Sequence, residues 1–388
     1  QKKKMKKKAT QPLSLTDDLI HEILLRLPIK SLLRFKSVHK SWLSLISDPR
    51  FAKSHFDLAA GTTHRLLLNC SVGSIDPEVA SVEVEKLVDN CYVDMISNIP
   101  LPLSGMECRI NIVGSCRGFI LITNSNPGIL NTDHNDFFDF VIWNPTTGQR
   151  IQRQTNHMCI HPQMSGIGYD SSTDDYVVAI LQLSLNIYLP SCPTVDFFAL
   201  RTNSWSRVEG TVPCHFPGPK NIRYKFMHMF LNGALHWMAE SYHDLGVIVA
   251  FDVRERSVSD IPLSRYLTFG WKYKFHHLTV MEGLLCLCLS NYLEGFSTSE
   301  IWAMKEYKVQ ESWTKLFVIS NTSYHFLPLF IPIRFTKTGE IWGSNGISIL
   351  LVRLNDKGEG RELCALGQKY FSLTCMYRES LLSLPVEF

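Results

Sequence analysis

Apolar residues between positions 15 and 49 recur at helical spacing. In LTDDLIHEILLRLPIKSLLRFKSVHKSWLSLISDP the positions Leu19, Ile20, Ile23, Leu24 and Leu27 follow the i, i+1, i+4, i+5, i+8 stripe of an amphipathic helix. Ser14 or Thr16 can cap its start, Asp17 and Asp18 fall in a first turn where the helix dipole favours negative charge, and Pro28 marks its end. Ser31 restarts helix with Leu32 and Leu33, and a further stripe of Val38, Trp42, Leu45 and Ile46 runs to a stop at Asp48-Pro49. The pattern predicts a small all-α unit of two or three short helices. A unit of roughly forty residues cannot easily bury enough surface to be stable alone. Part of the stripe is therefore expected to meet either a partner's groove or the rest of the chain.

From about residue 60 the helical stripes give way to short alternating runs broken by turn residues. Two segment types recur. The first is a turn followed by an apolar strand: SCRGFILI (115–122), FLNGALHWM (230–238), VMEGLLCLCL (280–289) and FTKTGEIWG (335–343). The second is strand, polar turn, strand: DFVIWNPTTGQRIQ (139–152), DFFALRTNSWSRV (196–208), IVAFDVRERSVSDI (248–261), EIWAMKEYKVQESWTKLF (300–317) and, more faintly, ILLVRLNDKGEGREL (349–363). Phe198, Phe251, Trp302 and Leu351 lie about fifty residues apart, the period of a kelch-type propeller blade. One segment of each type makes about four strands. Turns near 118, 166, 233, 283 and 339, with the less regular stretch 60–110, predict a large all-β domain that is a β-propeller of about six blades. A β-sandwich is the alternative.

Composition changes this picture little. Hydrophobic content of 45% with 19% charged residues is globular. The net charge of +3 hides an asymmetry, because six of the 39 basic residues sit in QKKKMKKK, which leaves 33 basic against 36 acidic residues in the body. That balance gives the body no polyanion-binding character, and the lysine run reads as a solvated tail or a nuclear-import patch. No apolar run reaches the roughly 18 residues of a membrane span, and none follows the lysines as a secretory signal would. The chain reads as soluble and intracellular. Eleven cysteines without a CxxC pair read as reduced thiols. Cys286 and Cys288, at i and i+2, share one strand face inside an apolar run.

The helical block resembles an F-box, in the plant type where a helix ends in LRLP, KSLLRFK follows, and KSW is succeeded by LISDP. Thr16 departs from that type, which usually has a proline able to pre-set the first turn. The series RGFILI, IWNPTTGQ, GIGYDSSTDDYVV, LRTNSWSRV, LNGALHWMA, IVAFDVRE and IWAMKEYKVQESWTKLF resembles the F-box-associated, kelch-like domain that follows this F-box type, although no GG of true kelch repeats occurs. The resemblance implies a tail at 1–12, an F-box at 13–56 and an F-box-associated domain at 60–388. It implies docking on a Skp1-like adaptor, and through it on a cullin and a RING protein, as the substrate-recognition subunit of an SCF ubiquitin ligase. The motif positions implied for adaptor binding are Leu15, Leu19, Ile20, Ile23, Leu24, Leu27, Pro28, Leu32, Leu33, Val38, Trp42 and Ile46. Some of these hold the small domain together and others face the adaptor. Leu27, Pro28 and Trp42 are the first to test.

Candidate chemistry is sparse. His276-His277 sits in strand-like KYKFHHLTV, so the two rings face opposite ways, and His228, His236 and His243 lack HxxxH or HExxH spacing. Asp170, Asp174 and Asp175 resemble a calcium loop only superficially, without the glycine and glutamate of an EF-hand, and suit a turn held by side-chain hydrogen bonds. Trp143, Trp205, Trp237, Trp302, Trp313 and Trp342 recur at related places, as blade-packing residues would. The expectation is a receptor with no catalytic residue, cofactor or metal, no nucleic-acid or membrane partner, and a protein target of unknown identity, working in the cytoplasm or nucleus. Segments 122–138, 181–194, 209–224 and 290–299 are the candidate target-binding rim. The alternatives are a propeller scaffold with a degenerate F-box and a propeller enzyme with converging His, Asp or Glu.

Overall fold

The computed structural model describes residues 16–58, 64–69, 79–84, 97–101, 109–125, 139–153, 164–183, 192–211, 214, 228–240, 246–264, 267, 275–293, 296–321, 330–335, 340–344, 349–355, 359–366 and 372–385. They divide into two compact units, one within Gln1–Thr62 together with Ser380–Ser383, the other within Thr63–Glu379 and Leu384–Phe388.

The first unit holds four short helices, α1 (Asp17–Leu25), α2 (Ile29–Phe35), α3 (Lys40–Ile46) and α4 (Pro49–Leu58). Thr16 caps α1, its Oγ1 accepting from the Leu19 N–H at 3.4 Å. Pro28 lies just past the end of α1 at Leu25, as expected, and also sits at the cap of α2, so that helix resumes at Ile29, two residues before Ser31. His39 caps α3, its Nδ1 accepting from the Ser41 N–H. The larger correction concerns Asp48-Pro49. Asp48 Oδ1 accepts from the Arg50 N–H at 2.7 Å, and Pro49 occupies the first helical position, where its missing N–H costs nothing. The third helix does stop before this dipeptide, at Ile46, but the dipeptide also opens a fourth helix, one beyond the two or three expected. That helix adds Phe51, Ala52 and His55 to a core of Leu24, Leu25, Ile29, Leu32 and Ile46. His55 Nε2 donates to the Leu27 carbonyl at 2.9 Å, tying α4 to the turn between α1 and α2.

The second unit is a six-bladed β-propeller of four-stranded antiparallel blades. The first blade contains β1 (His64–Asn69), β2 (Val79–Glu83) and β3 (Ser97–Ile99). The second runs β4 (Arg109–Cys116), β5 (Phe119–Ser125), β6 (Phe140–Trp143), β7 (Arg150–Arg153). The third runs β8 (Ser165–Asp170), β9 (Asp175–Gln182), β10 (Thr194–Ala199), β11 (Ser204–Glu209), and the fourth β12 (Met229–Leu231), β13 (Ala234–Glu240), β14 (Gly246–Asp252), β15 (Ser257–Ile261). The fifth runs β16 (Phe275–Met281), β17 (Leu284–Leu293), β18 (Phe296–Met304), β19 (Trp313–Asn321). The sixth runs β20 (Ile331–Phe335), β21 (Ile341–Ser344), β22 (Ile349–Leu354), β23 (Glu359–Leu366). The innermost strand of the first blade is β24 (Ser372–Arg378), which pairs antiparallel with β1, His64 opposite Arg378 and Arg65 opposite Tyr377. The ring is thus closed by a strand some three hundred residues downstream of its partner. A parallel contact of Val318 and Ile319 with Glu359 and Gly360 joins the outer strands of the fifth and sixth blades.

The expected period is visible in the strands. Phe198, Phe251, Trp302 and Leu351 occupy the third strands of four successive blades. Arg117-Gly118, Asn232-Gly233 and Glu282-Gly283 all have positive φ at both residues, the two-residue hairpin whose twist matches the strands it joins. Gly166 is different. It lies inside β8, and the turn of its blade is Ser171–Asp174, with Asp174 at φ 52. The core is a series of layers between blades rather than one centre. Between the third and fourth, Val177, Ala179 and Phe197 pack with Trp237, Val249 and Phe251; between the fifth and sixth, Cys286 and Cys288 pack on one face with Ile301, Phe317 and Ile341. Trp143, Trp237, Trp313 and Trp342 are buried, while Trp205 and Trp302 are half-buried. Of the six cysteines whose side chains are described, all are free and only Cys192 is exposed.

Candidate interaction surface

The helical stripe proves to be two-sided. Leu24, Leu32 and Ile46 are at most 1% exposed and form the interior of the helical unit, whereas Leu19 is 52%, Ile23 48% and Val38 63% exposed. Pro28 is also exposed; Ile20, Leu27, Leu33 and Trp42 lie at the boundary. Trp42 packs edge-on against Phe35 with ring centres 5.3 Å apart. Leu15 lies outside the described residues. Leu43, absent from the motif positions singled out above, is 45% exposed and belongs to the same set of large apolar side chains in water. Its signal in the sequence was weak, because in KSWLSLI it sits between the periodic positions Trp42 and Ile46. The Arg50 backbone N–H, aided by the Arg50 side chain, holds the Asp48 carboxyl below its ordinary range, so the cap of α4 is charged at neutral pH. The helical unit thus has a filled core and, apart from it, several large apolar side chains in water.

On the propeller, strand alternation sorts the connections by face. The first strands of neighbouring blades lie side by side around the centre. First-to-second and third-to-fourth strand turns therefore share one face, and the remaining connections share the other. The expected rim segments 122–138, 181–194, 209–224 and 290–299 take in the ends of β5, β9, β11 and β17, which lie on this second face. Residues 126–138, 184–191, 212–213, 215–224 and 294–295 within them lie outside the described residues.

The residues examined for chemistry are occupied structurally. His228 reaches from the start of the fourth blade to β8, where its Nε2 accepts from the Ile167 N–H at 3.2 Å. Its ring fills space that only glycines leave. A Cβ on Gly114 would lie 2.4 Å from His228 Cε1, and one on Gly166 2.7 Å from Cγ. His236 donates from Nδ1 to the Met229 carbonyl at 2.9 Å and accepts at Nε2 from the Tyr307 hydroxyl at 2.7 Å. Burial pushes both imidazoles down to about 4, so both are neutral near pH 7. His277 is buried; His243 and the side chain of His276 lie outside what is described. Asp170 accepts from the Ser172 N–H at 2.9 Å and pairs with Arg256 at 3.2 Å, while Asp175 accepts from the N–H groups of Tyr176 and Arg201. Asp174 accepts from the Tyr169 hydroxyl. These carboxylates shape a turn, as the sequence implied. No group of three or more His, Cys, Asp or Glu able to hold a metal occurs among the described residues. No described helix is long and apolar enough to cross a membrane.

Four short helices followed by a six-bladed propeller are the architecture of an F-box protein with a propeller domain. Sequence comparison agrees: the F-box domain profile matches residues 12–54, and that of the F-box associated beta propeller domain matches residues 74–345. The chain belongs to this family. It is 29% identical over 324 residues to F-box protein CPR1 of Arabidopsis thaliana, covering 78% of this chain and 72% of that protein. It is 27% identical over 351 residues to F-box/kelch-repeat protein At3g23880 of the same plant, covering 88% and 85%. Among solved structures, the β-propeller domain of the Trilobed protease from Pyrococcus furiosus aligns over 68% of this chain and 70% of that one, at 11% identity and a TM-score of 0.34, a likeness too distant to inform function.

Proposed function

We propose that the chain is the substrate receptor of an SCF-type ubiquitin ligase. The helical unit docks on a Skp1-like adaptor, which carries the cullin and RING protein, and the propeller holds the protein to be modified. Transfer is accelerated by proximity, with no bond chemistry supplied by this chain. The observation that carries the reading is the separation within one F-box unit of a filled interior at Leu24, Leu32 and Ile46 from exposed Leu19, Ile23, Val38 and Leu43. The described thiols, free and mostly buried, suit a reducing cytoplasm or nucleus. Target contact is assigned to the propeller face that carries the four rim segments.

The two classes of stripe residue separate in a binding assay with purified Skp1-like adaptor. Ile23→Asp and Val38→Asp are expected to weaken adaptor binding by about 30-fold or more while leaving the helical signal intact, as loss of an interface anchor worth about 2 kcal/mol requires. Leu24→Ala acts first on stability, at about 2–5 kcal/mol. Undiminished binding by both aspartate variants would overturn the proposed docking surface.

A further inference from the structure

The helical unit is not built from N-terminal residues alone. Ser380–Ser383, which follow the ring-closing strand β24, belong to it rather than to the propeller. Within this tetrapeptide Ser380, Leu381 and Leu382 are buried and Ser383 is exposed, and the Leu382 N–H donates to Ser380 Oγ at 3.0 Å. Strand register explains how so distant a segment is available. His64 at the start of β1 lies directly across from Arg378 at the end of β24. The chain therefore leaves the sheet at residue 379 beside the start of β1. Buried Arg65 fixes that junction, with Nη1 3.5 Å from Glu379 and 3.8 Å from Glu83 and Nε donating to Ser81 Oγ at 2.6 Å.

We infer that the helical unit is a split domain, completed by residues 380–383, so that its helices reach full stability only when β24 has closed the ring. Four helices of seven to ten residues enclose few large side chains, so two buried leucines assigned to the same unit would add substantially to so small a core. Resting on the receptor reading, this makes adaptor docking conditional on a finished propeller. A chain whose ring is open then presents a weakened handle to the ligase.

Hydrogen exchange on the full chain tests the inference without reference to any partner. In Leu381→Asp/Leu382→Asp, amides of α1–α4 are expected to exchange roughly a hundredfold faster than in the parent, those of β4–β23 are expected to keep their protection, and Ser383→Ala is expected to change neither. Leu381→Ala, a milder change, gives the same pattern at smaller amplitude should the double variant fail to accumulate. Unchanged helix amides would overturn the split domain, as would equal acceleration of helices and propeller, which would assign the segment to the ring. Adaptor affinity is measured in parallel. Failure of the parent to bind adaptor refutes the receptor reading and leaves the exchange result standing.

Discussion

Acidification is expected to loosen the propeller through His228 and His236. Both are buried and neutral, with pKa lowered to about 4, chiefly by burial. In the unfolded chain each returns to about 6.5. Between those values the unfolded form binds more protons than the folded one, so stability falls as pH falls. The contribution is fully present above about pH 6.5 and is lost progressively toward pH 4. At pH 5 the shift corresponds to a loss of about 2 kcal/mol for each histidine relative to pH 7.5, or about 4 kcal/mol for the pair. Against a typical stability of about 5–15 kcal/mol that is a large fraction. Urea unfolding followed by tryptophan fluorescence at pH 7.5, 6 and 5 measures it, and the emission of buried Trp237 and Trp342 reports on the blades. The variant His228→Asn/His236→Gln is expected to be less stable at pH 7.5 but to lose most of the pH slope between 7.5 and 5. A parent with a flat profile over this range, or a variant with the parent's slope, would refute the reasoning.

Three further changes test packing, ring closure and turns. Gly343→Ala places a Cβ 2.1 Å from Phe330 Cζ and should cost about 1–3 kcal/mol by overpacking, visible as a lowered Tm. Arg65→Met removes the cation beside Glu83 and Glu379 at the junction of β1 and β24, and is expected to cost about 3 kcal/mol, with faster exchange first in the first blade. Glu282→Asn should stabilise by about 0.5–1 kcal/mol, because Glu282 holds φ 51 in a tight hairpin and asparagine tolerates that conformation better. An unaltered or lowered denaturation midpoint would contradict this last expectation.

Local features of the fold were legible in the sequence, and long-range ones were not. The α1 stripe and its cap were readable because apolar spacing and Thr16 act within a few residues. The blades were readable because hairpin turns and apolar runs repeat, so that Phe198, Phe251, Trp302 and Leu351 mark one strand position. Asp48-Pro49 reads only as a stop because a proline after a capping residue ends one helix and begins the next with the same two letters. Gly166 reads as a turn residue because spacing cannot show that a histidine 62 residues later needs its missing side chain. Ring closure by β24 had no local signal, since the partners of a strand at the end of a repeat lie wherever the circle meets. The sorting of Ile23 from Leu24 was hidden for a related reason: adjacent residues on one helix differ by about 100°, and which edge of a stripe is covered depends on α4.

The union of β19 with β23 bears on how sheet edges are protected. Every outer strand of an open blade carries a row of unpaired backbone groups, a template on which another chain can crystallise as an extra strand. β7, β11 and β15 guard that row with Arg150, Arg153, Arg207, Glu209 and Asp260, whose charges make a second strand unwelcome. The apolar run LFVIS in β19 is less well guarded in its sequence, and here the molecule satisfies itself, setting its own β23 alongside part of it. Breaking that short parallel seam would not dismantle a blade. It would uncover an apolar strand edge open to pairing with another chain.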